Sequence, residues 1–400
     1  MPGPLAGVRI VDLTTVILGP YGTQLLADLG AQVIKVEPPE GDVIRHAAPM
    51  KHSGMGHIFL HHNRNKRSLV LDLKQPRGRE ALLRLAAGAD ALLHNARPQA
   101  MARLQLSYDE VRAVNGRIIY VAAYGYSEKG PYAGRPAYDD LIQGMVALPS
   151  IFAASGADRP RFVPSAIADR ITGMSMANAL TAALYYRERT GKGQAIEVPM
   201  FETMSELILS DHMGGHTFDP PAGPPGYPRM LAPHRAPYAT RDGYICVLVY
   251  NDKQWRAFFR VIGRPELFDD PRFSSQEARS RNIAEVYAFL AEQVATRTSA
   301  EWLETFAAAD IPATPLNTLD DLLADPHLHA TGFFRREEHP TEGMLRTMSV
   351  PSQWSESQPD ARLPAPRLGE HSIEVLREAG CSDSDIQAMI ASGATFAPGH

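Results

Sequence analysis

Residues 8–37 read VRIVDLTTVILGPYGTQLLADLGAQVIKVE, a strand, a helix and a second strand in succession. Residues 8–14 form a short β-branched run. Pro20 stands where a helix can begin, because its missing N–H is not needed at the first helical position. Leu25, Leu26 and Leu29 give that helix an apolar stripe, and Gly30 ends it. Residues 31–37 (AQVIKVE) are the returning strand. A crossover of about 30 residues is what two neighbouring parallel strands require.

The alternation continues outward from this unit. Strands are predicted over 68–73, 91–95 and 117–123, with a helix over 77–87, which argues for a parallel or mixed sheet covered by helices. A long helix rich in small residues is predicted over 172–189, with Arg187 and Arg189 in its last turn and Gly191 as its cap. A strand follows over 194–200. Seven prolines between 217 and 237 exclude a helix or central strand there and mark a crossing segment between domains. Beyond it come a strand at 244–250, an amphipathic helix at 253–262 carrying Trp255, Phe258 and Phe259, and a capping box at Thr298 and Glu301. A second Pro-rich crossing is expected over 359–366.

Composition bounds the rest. Four hundred residues exceed one ordinary core, so two domains are expected. With 40 Lys and Arg against 45 Asp and Glu, the net charge of −5 supplies no whole-chain attraction for nucleic acid or an anionic membrane. Two cysteines make no disulfide framework, and a reducing, cytoplasmic setting is expected. No apolar run is long enough to span a bilayer, and Asp12 interrupts the apolar stretch that an export signal would need.

Few motifs carry chemistry by themselves. No dinucleotide or P-loop glycine pattern occurs, and Gly19-Pro20-Tyr21-Gly22 is a βα turn that need only pack a helix on a sheet. Gly173-x-Ser175 imitates a nucleophile elbow but falls inside the predicted helix. The pairs His57/His61 and His212/His216 lack a carboxylate at ligand spacing, so no metal site is expected. The basic run Asn63-Arg64-Asn65-Lys66-Arg67 reads as a solvated loop or as a phosphate contact. Asp169 precedes the long helix, where Asp is a common N-cap. The same place favours an ionised carboxylate, which covalent acyl chemistry needs. Periodicity does not choose between cap and nucleophile.

Collinear likeness does choose. Leu5-Ala-Gly-Val-Arg-Ile-Val-Asp-Leu13, Asn63-Arg-Asn-Lys-Arg-Ser68 with Leu71-Asp-Leu-Lys74, Asn95-Ala-Arg97-Pro98 and Tyr138-Asp139 resemble, in order, the landmarks of the family III CoA-transferases. So do Ala182-Ala-Leu-Tyr-Tyr-Arg187-x-x-Thr190-Gly-Lys-Gly-Gln194, Asp325-Pro326-His327 and Leu368-Gly-Glu-His371. The resemblance implies an α/β fold: a Rossmann-like large domain built from both chain ends plus a smaller central α+β domain, in an interlocked homodimer. The large domain is then expected over 1–216 and the small one over 238–330, with the crossing at 217–237 and the return over 331–400. It also implies CoA transfer from an acyl-CoA to a free carboxylic acid through Asp169, with coenzyme A as substrate and no permanent cofactor or metal. Val16 and Ile17 are expected to line the CoA pocket. Asp72, Lys74, Asn95, Arg97 and Arg103 are expected to contact CoA, and Tyr138 and Asp139 to lie near the thioester.

The chain departs from formyl-CoA transferase at three points. Ile17 stands where that enzyme has a Gln, Pro38 where it has an arginine, and no glycine-rich run follows Tyr238. Ile17 cannot polarise a carbonyl, so the resemblance leaves that role to another donor, such as backbone N–H groups. The alternative is racemisation alpha to an acyl-CoA thioester, as in the sister alpha-methylacyl-CoA racemases. Those place a His in Gly-His-Asp, where this chain has Ala137-Tyr138-Asp139.

Overall fold

The computed structural model describes residues 3–398. Six parallel strands form the central sheet: β1 (Arg9–Asp12), β2 (Gln32–Glu37), β3 (Lys66–Val70), β4 (Ala91–His94), β5 (Ile119–Tyr124) and β6 (Gln194–Pro199). Their order is 3-2-1-4-5-6. The chain runs one way from β1 to β3 and then returns to lay β4 on the other side of β1, so the order reverses between β1 and β4. Helices cover both faces, which is why β4 is buried throughout and β5 over five of its six residues. The main core joins the sheet to helices Pro76–Ala87, Ser372–Glu378 and Asp383–Ala391 through Leu69, Leu82, Leu92, Tyr120, Leu376 and Ile386.

Two compact units divide the chain. One runs to Val146, resumes over Val163–Glu206 and again from His327; the other takes Ala147–Phe162 and Leu207–Pro326. Residues 147–162 and 207–216, which sequence reading assigns to the large domain, are grouped with the central unit. Pro359–Pro366 lies within the large unit rather than at its boundary. There the Asn65 carboxamide oxygen accepts the backbone N–H groups of Arg362 and Leu363 at 2.6 and 2.8 Å. The central unit has its own aromatic core: Trp255 beside Phe273, and Trp302 stacked on Phe306 at 4.7 Å. Three short antiparallel strands (Tyr238–Ala239, Tyr244–Val247, Ala313–Pro315) belong to this unit. Thr298 and Glu301 form the expected capping box.

The first helix, Leu18–Asp28, starts two residues earlier than Pro20 predicts. It crosses the long helix Ile167–Thr190 where neither can carry a side chain. A Cβ on Gly22 would meet the Gly173 carbonyl oxygen at 2.6 Å, and one on Gly173 would meet that of Leu18 at 2.5 Å. The small-residue character of the long helix therefore has a definite use, bringing its first turns against the start of the first helix.

The basic run at 63–67 is neither a solvated loop nor a free phosphate cradle. Asn63, Arg64, Asn65 and Lys66 are buried. Arg64 grips Asp28 with two hydrogen bonds of 3.1 and 2.7 Å. Lys66 Nζ donates to Asp12, to the Pro20 carbonyl, to Thr23 and to Asn63. Burial pushes Lys66 down to about 8, against the pull of Asp12. Arg67 lies half-buried and pairs with Glu374 and Glu378. The acids that occupy this run come from elements distant in sequence.

Candidate active site

The order reversal leaves a crevice beyond the carboxyl ends of the strands, where open α/β sheets bind their ligands. A cavity of about 280 Å³ opens there. Its wall takes Thr15, Val16 and Leu18 from the segment after β1, Asn95 and Arg97 from that after β4, and Tyr124 and Gly125 from β5 and its exit. Arg135, Tyr138, Asp169 and Met200 also line it. A second cavity of about 250 Å³ lies beyond β2 and β3, walled by Pro38, Glu40, Asp72 and Lys74, and shares Thr15 with the first.

The loop between β1 and the first helix has unusual backbone geometry. Val16 adopts φ +69°, a left-handed conformation that a β-branched side chain resists. Buried side chains hold it there. The Val16 N–H donates to both carboxylate oxygens of Asp42, at 3.1 and 3.2 Å. Lys35 Nζ, fully buried, donates to Asp42 at 2.8 Å and to the Thr14 carbonyl at 2.9 Å. The Asn95 carboxamide clamps the preceding residue, accepting from the Thr15 N–H at 3.0 Å and donating to the Thr15 carbonyl at 2.8 Å. Asn95 is thus in the cavity wall with its amide occupied by backbone. Ile17 sits at the N-cap of the first helix and packs toward Ile44, Phe59 and Ala365 rather than lining either cavity. Among the described residues, the first-turn N–H groups of Leu18 and Gly19 have no hydrogen-bond partner, as expected of a helix start without a side-chain cap.

Asp169 is not an N-cap. Ala166 holds that position, and Asp169 is the third residue of the helix. Its own N–H donates to Asp139 Oδ1 at 3.0 Å, so the neighbouring acid supplies the cap. The other oxygen of Asp139 accepts from the buried Gln143 at 2.6 Å, and Gln143 in turn accepts the Val163 N–H at 2.9 Å. The helix end does not keep Asp169 ionised below the ordinary range. Burial first, and the Asp139 charge second, push its carboxyl up to about 7, with Arg170 opposing them.

The structure gathers Val16, Asn95, Arg97, Tyr138 and Asp169 at one cavity and Asp72 and Lys74 at the adjoining one. Asp139 stands behind Asp169, and Arg103 ends the helix Pro98–Arg103, exposed and outside both walls. Sequence reading missed Thr15, Arg135 and Met200 in the wall, and Lys35 and Asp42 behind it. Arg135 was within reach, three residues ahead of the quoted Tyr138. The Lys35–Asp42 pair leaves no local signal, because its effect falls on a backbone N–H in another segment.

Residues 5–372 match the family model described as CoA-transferase family III. The succinate–glutarate CoA-transferase of Agrobacterium fabrum is 32% identical over 385 residues, covering 94% of this chain and 95% of that protein. The formyl-CoA:oxalate CoA-transferase of Escherichia coli is 31% identical over 421 residues, covering 97% and 99%. Among solved structures, a CAIB/BAIF family protein from Brucella suis superposes with a TM-score of 0.77 at 32% identity, covering 95% of this chain and all of that one. Rv3272 of Mycobacterium tuberculosis superposes with a TM-score of 0.80 at 28% identity, covering 93% and 99%. With a likeness that runs through both the sheet and the segments forming the cavity, the chain belongs to CoA-transferase family III.

Proposed function

We propose that Asp169 is the nucleophile that carries CoA from an acyl-CoA thioester to a free carboxylic acid. The observation that carries this reading is a partly buried carboxylate, with a pKa near 7, in the wall of the crevice at the order reversal. A carboxylate of that basicity is a better nucleophile than an ordinary aspartate, and about half of it is ionised at pH 7, with the fraction rising above that pH. Its oxygen attacks the thioester carbonyl, the C–S bond breaks, and CoA thiolate leaves behind an aspartyl anhydride. The thiolate then attacks the aspartyl carbonyl, the anhydride C–O bond breaks, and the donor acid departs as carboxylate. The acceptor carboxylate attacks the resulting aspartyl-CoA thioester and expels thiolate. Thiolate then attacks the acceptor carbonyl and regenerates Asp169. Each step exchanges one carboxylate or thiolate for another, so no net proton or electron is required.

The unpartnered N–H groups of Leu18 and Gly19 replace the side-chain donor that Ile17 cannot provide. Arg97, Arg135 and Lys74 supply cations for the CoA phosphates, with Asp72 beside Lys74 and the exposed Arg103 as a further cation for them. Tyr138 and Asp139 lie next to the thioester, Asp139 by holding the Asp169 backbone. Relatives named for succinate and glutarate point to short dicarboxylates as the first acids to test. Exposed Met174, Tyr185 and Tyr186 on the long helix offer apolar surface for a second copy, which supports an interlocked homodimer. Two free cysteines suit a reducing cytoplasm.

The test is trapping. Enzyme mixed with an acyl-CoA and then hydroxylamine should acquire a hydroxamate at Asp169, found by mass spectrometry. A label on another residue, or scrambling of acyl-CoA stereochemistry without transfer to any acid, overturns the mechanism. For the dimer, sedimentation on dilution should reveal no folded monomer.

A further inference from the structure

The central unit holds a cationic cavity that the transfer reaction does not use. It measures about 210 Å³. Arg229 and Arg279 both line it, together with Gln276 and Ser280 from helix Gln276–Arg281, and Val249, Ile283 and Val286 form its apolar side.

The two arginines are incompletely satisfied. Arg279 is 2% exposed. Its terminal nitrogens donate to the Phe273 carbonyl, to Gln276 and to Asp252, but its Nε is buried with no partner. An orphaned guanidinium N–H is an expensive feature that native structures rarely leave unexplained. Arg229 donates from Nε to the Tyr287 hydroxyl at 2.9 Å and has no carboxylate at ion-pair distance among the described residues. Two guanidinium groups and one carboxylate, that of Asp252, leave the cavity with an uncompensated positive charge.

We propose that this cavity binds a short aliphatic carboxylate. The carboxylate would supply the missing counter-charge and accept from Arg229 and the Arg279 Nε, while the Ser280 hydroxyl stays engaged with the Gln276 carbonyl at 2.8 Å. Its hydrocarbon part would lie on Val249, Ile283 and Val286. Inorganic phosphate satisfies the charge but has nothing to place on the apolar side, so the geometry favours the carboxylate. This site does not depend on the role given to Asp169.

Trp255 lines the same cavity and reports on it directly. Butyrate and glutarate should change the protein's tryptophan fluorescence saturably at millimolar concentration, in the wild type and in Asp169→Asn alike. That second protein separates this site from the transfer site. Binding should weaken by at least about tenfold in Arg229→Gln, as loss of a charged hydrogen-bond donor implies. Should Arg229→Gln fail to fold, Ser280→Glu at an exposed helical position places a carboxylate beside the arginines and should abolish the response by occupying them. Circular dichroism verifies the fold of each variant. No saturable response, an undiminished response in either folded variant, or an equal response to inorganic phosphate would overturn the proposal.

Discussion

Consider Asp169→Asn across the pH range. The folded chain holds this carboxyl at about 7, where an ordinary aspartate titrates at 3.8. Below about pH 4 both folded and unfolded chains carry the proton, so Asp and Asn are equivalent in charge. Between about 4 and 7 the folded chain keeps the proton that the unfolded chain has lost, and stability falls as pH rises. Above 7 the full cost of the buried charge is present, about 4 kcal/mol at 1.36 kcal/mol per pH decade. Partial exposure of the carboxyl and the lost favour of an anion in the first helical turn, up to about 1 kcal/mol, reduce this to roughly 2–3 kcal/mol. Asn should therefore stabilise the protein by roughly 2–3 kcal/mol at about pH 8.5 and by little at about pH 4. Turnover should fall by at least about a thousandfold, as loss of a covalent nucleophile demands. Urea unfolding followed by far-UV circular dichroism, at one fixed protein concentration, measures the first effect, and CoA-ester exchange by mass spectrometry measures the second. Equal stability of the two proteins at high pH, or a gain that does not change with pH, would refute the argument that a buried charge is held in the wall for reactivity.

Three other perturbations follow from the same geometry. Asp139→Asn retains an oxygen for the Asp169 N–H but removes the charge that helps raise the Asp169 pKa, so the acid limb of the kcat/KM profile should move to lower pH; a limb that stays in place would assign it to another group. Gly173→Ala drives a methyl to within 2.5 Å of the Leu18 carbonyl oxygen and should cost roughly 1–3 kcal/mol with a loss of turnover, whereas the helix propensity of Ala alone predicts a gain. Lys35→Met leaves Asp42 buried without its cation and should cost roughly 3–5 kcal/mol. Adding Asp42→Asn should restore part of that stability but not turnover, because one acceptor of the Val16 N–H is replaced by a donor.

What the sequence makes legible follows from where each cause lies. Strands β4 and β5 are buried on both faces, so each is a mainly apolar run that identifies itself, whereas β1 (RIVD) is read from the β-branched run of residues 8–14 around it. Gly30 and Gly191 mark helix ends because each takes a left-handed backbone at its own position. The run at 63–67 misleads, since a guanidinium reads the same whether it faces water or an acid. Arg64 meets Asp28 across 36 residues, and Lys66 meets Asp12 across 54. Asp169 shows the same division within one residue. Its place near a helix start and in a family-specific stretch is local and could be read. Whether it is the cap or the third residue depends on the dihedral angles of Ala166, and its protonation depends on burial and on Asp139, thirty positions earlier. The charge state that sets its reactivity is therefore a property of the assembled crevice. A nucleophile of this kind is found by spacing and likeness, but its pH dependence requires the packing around it.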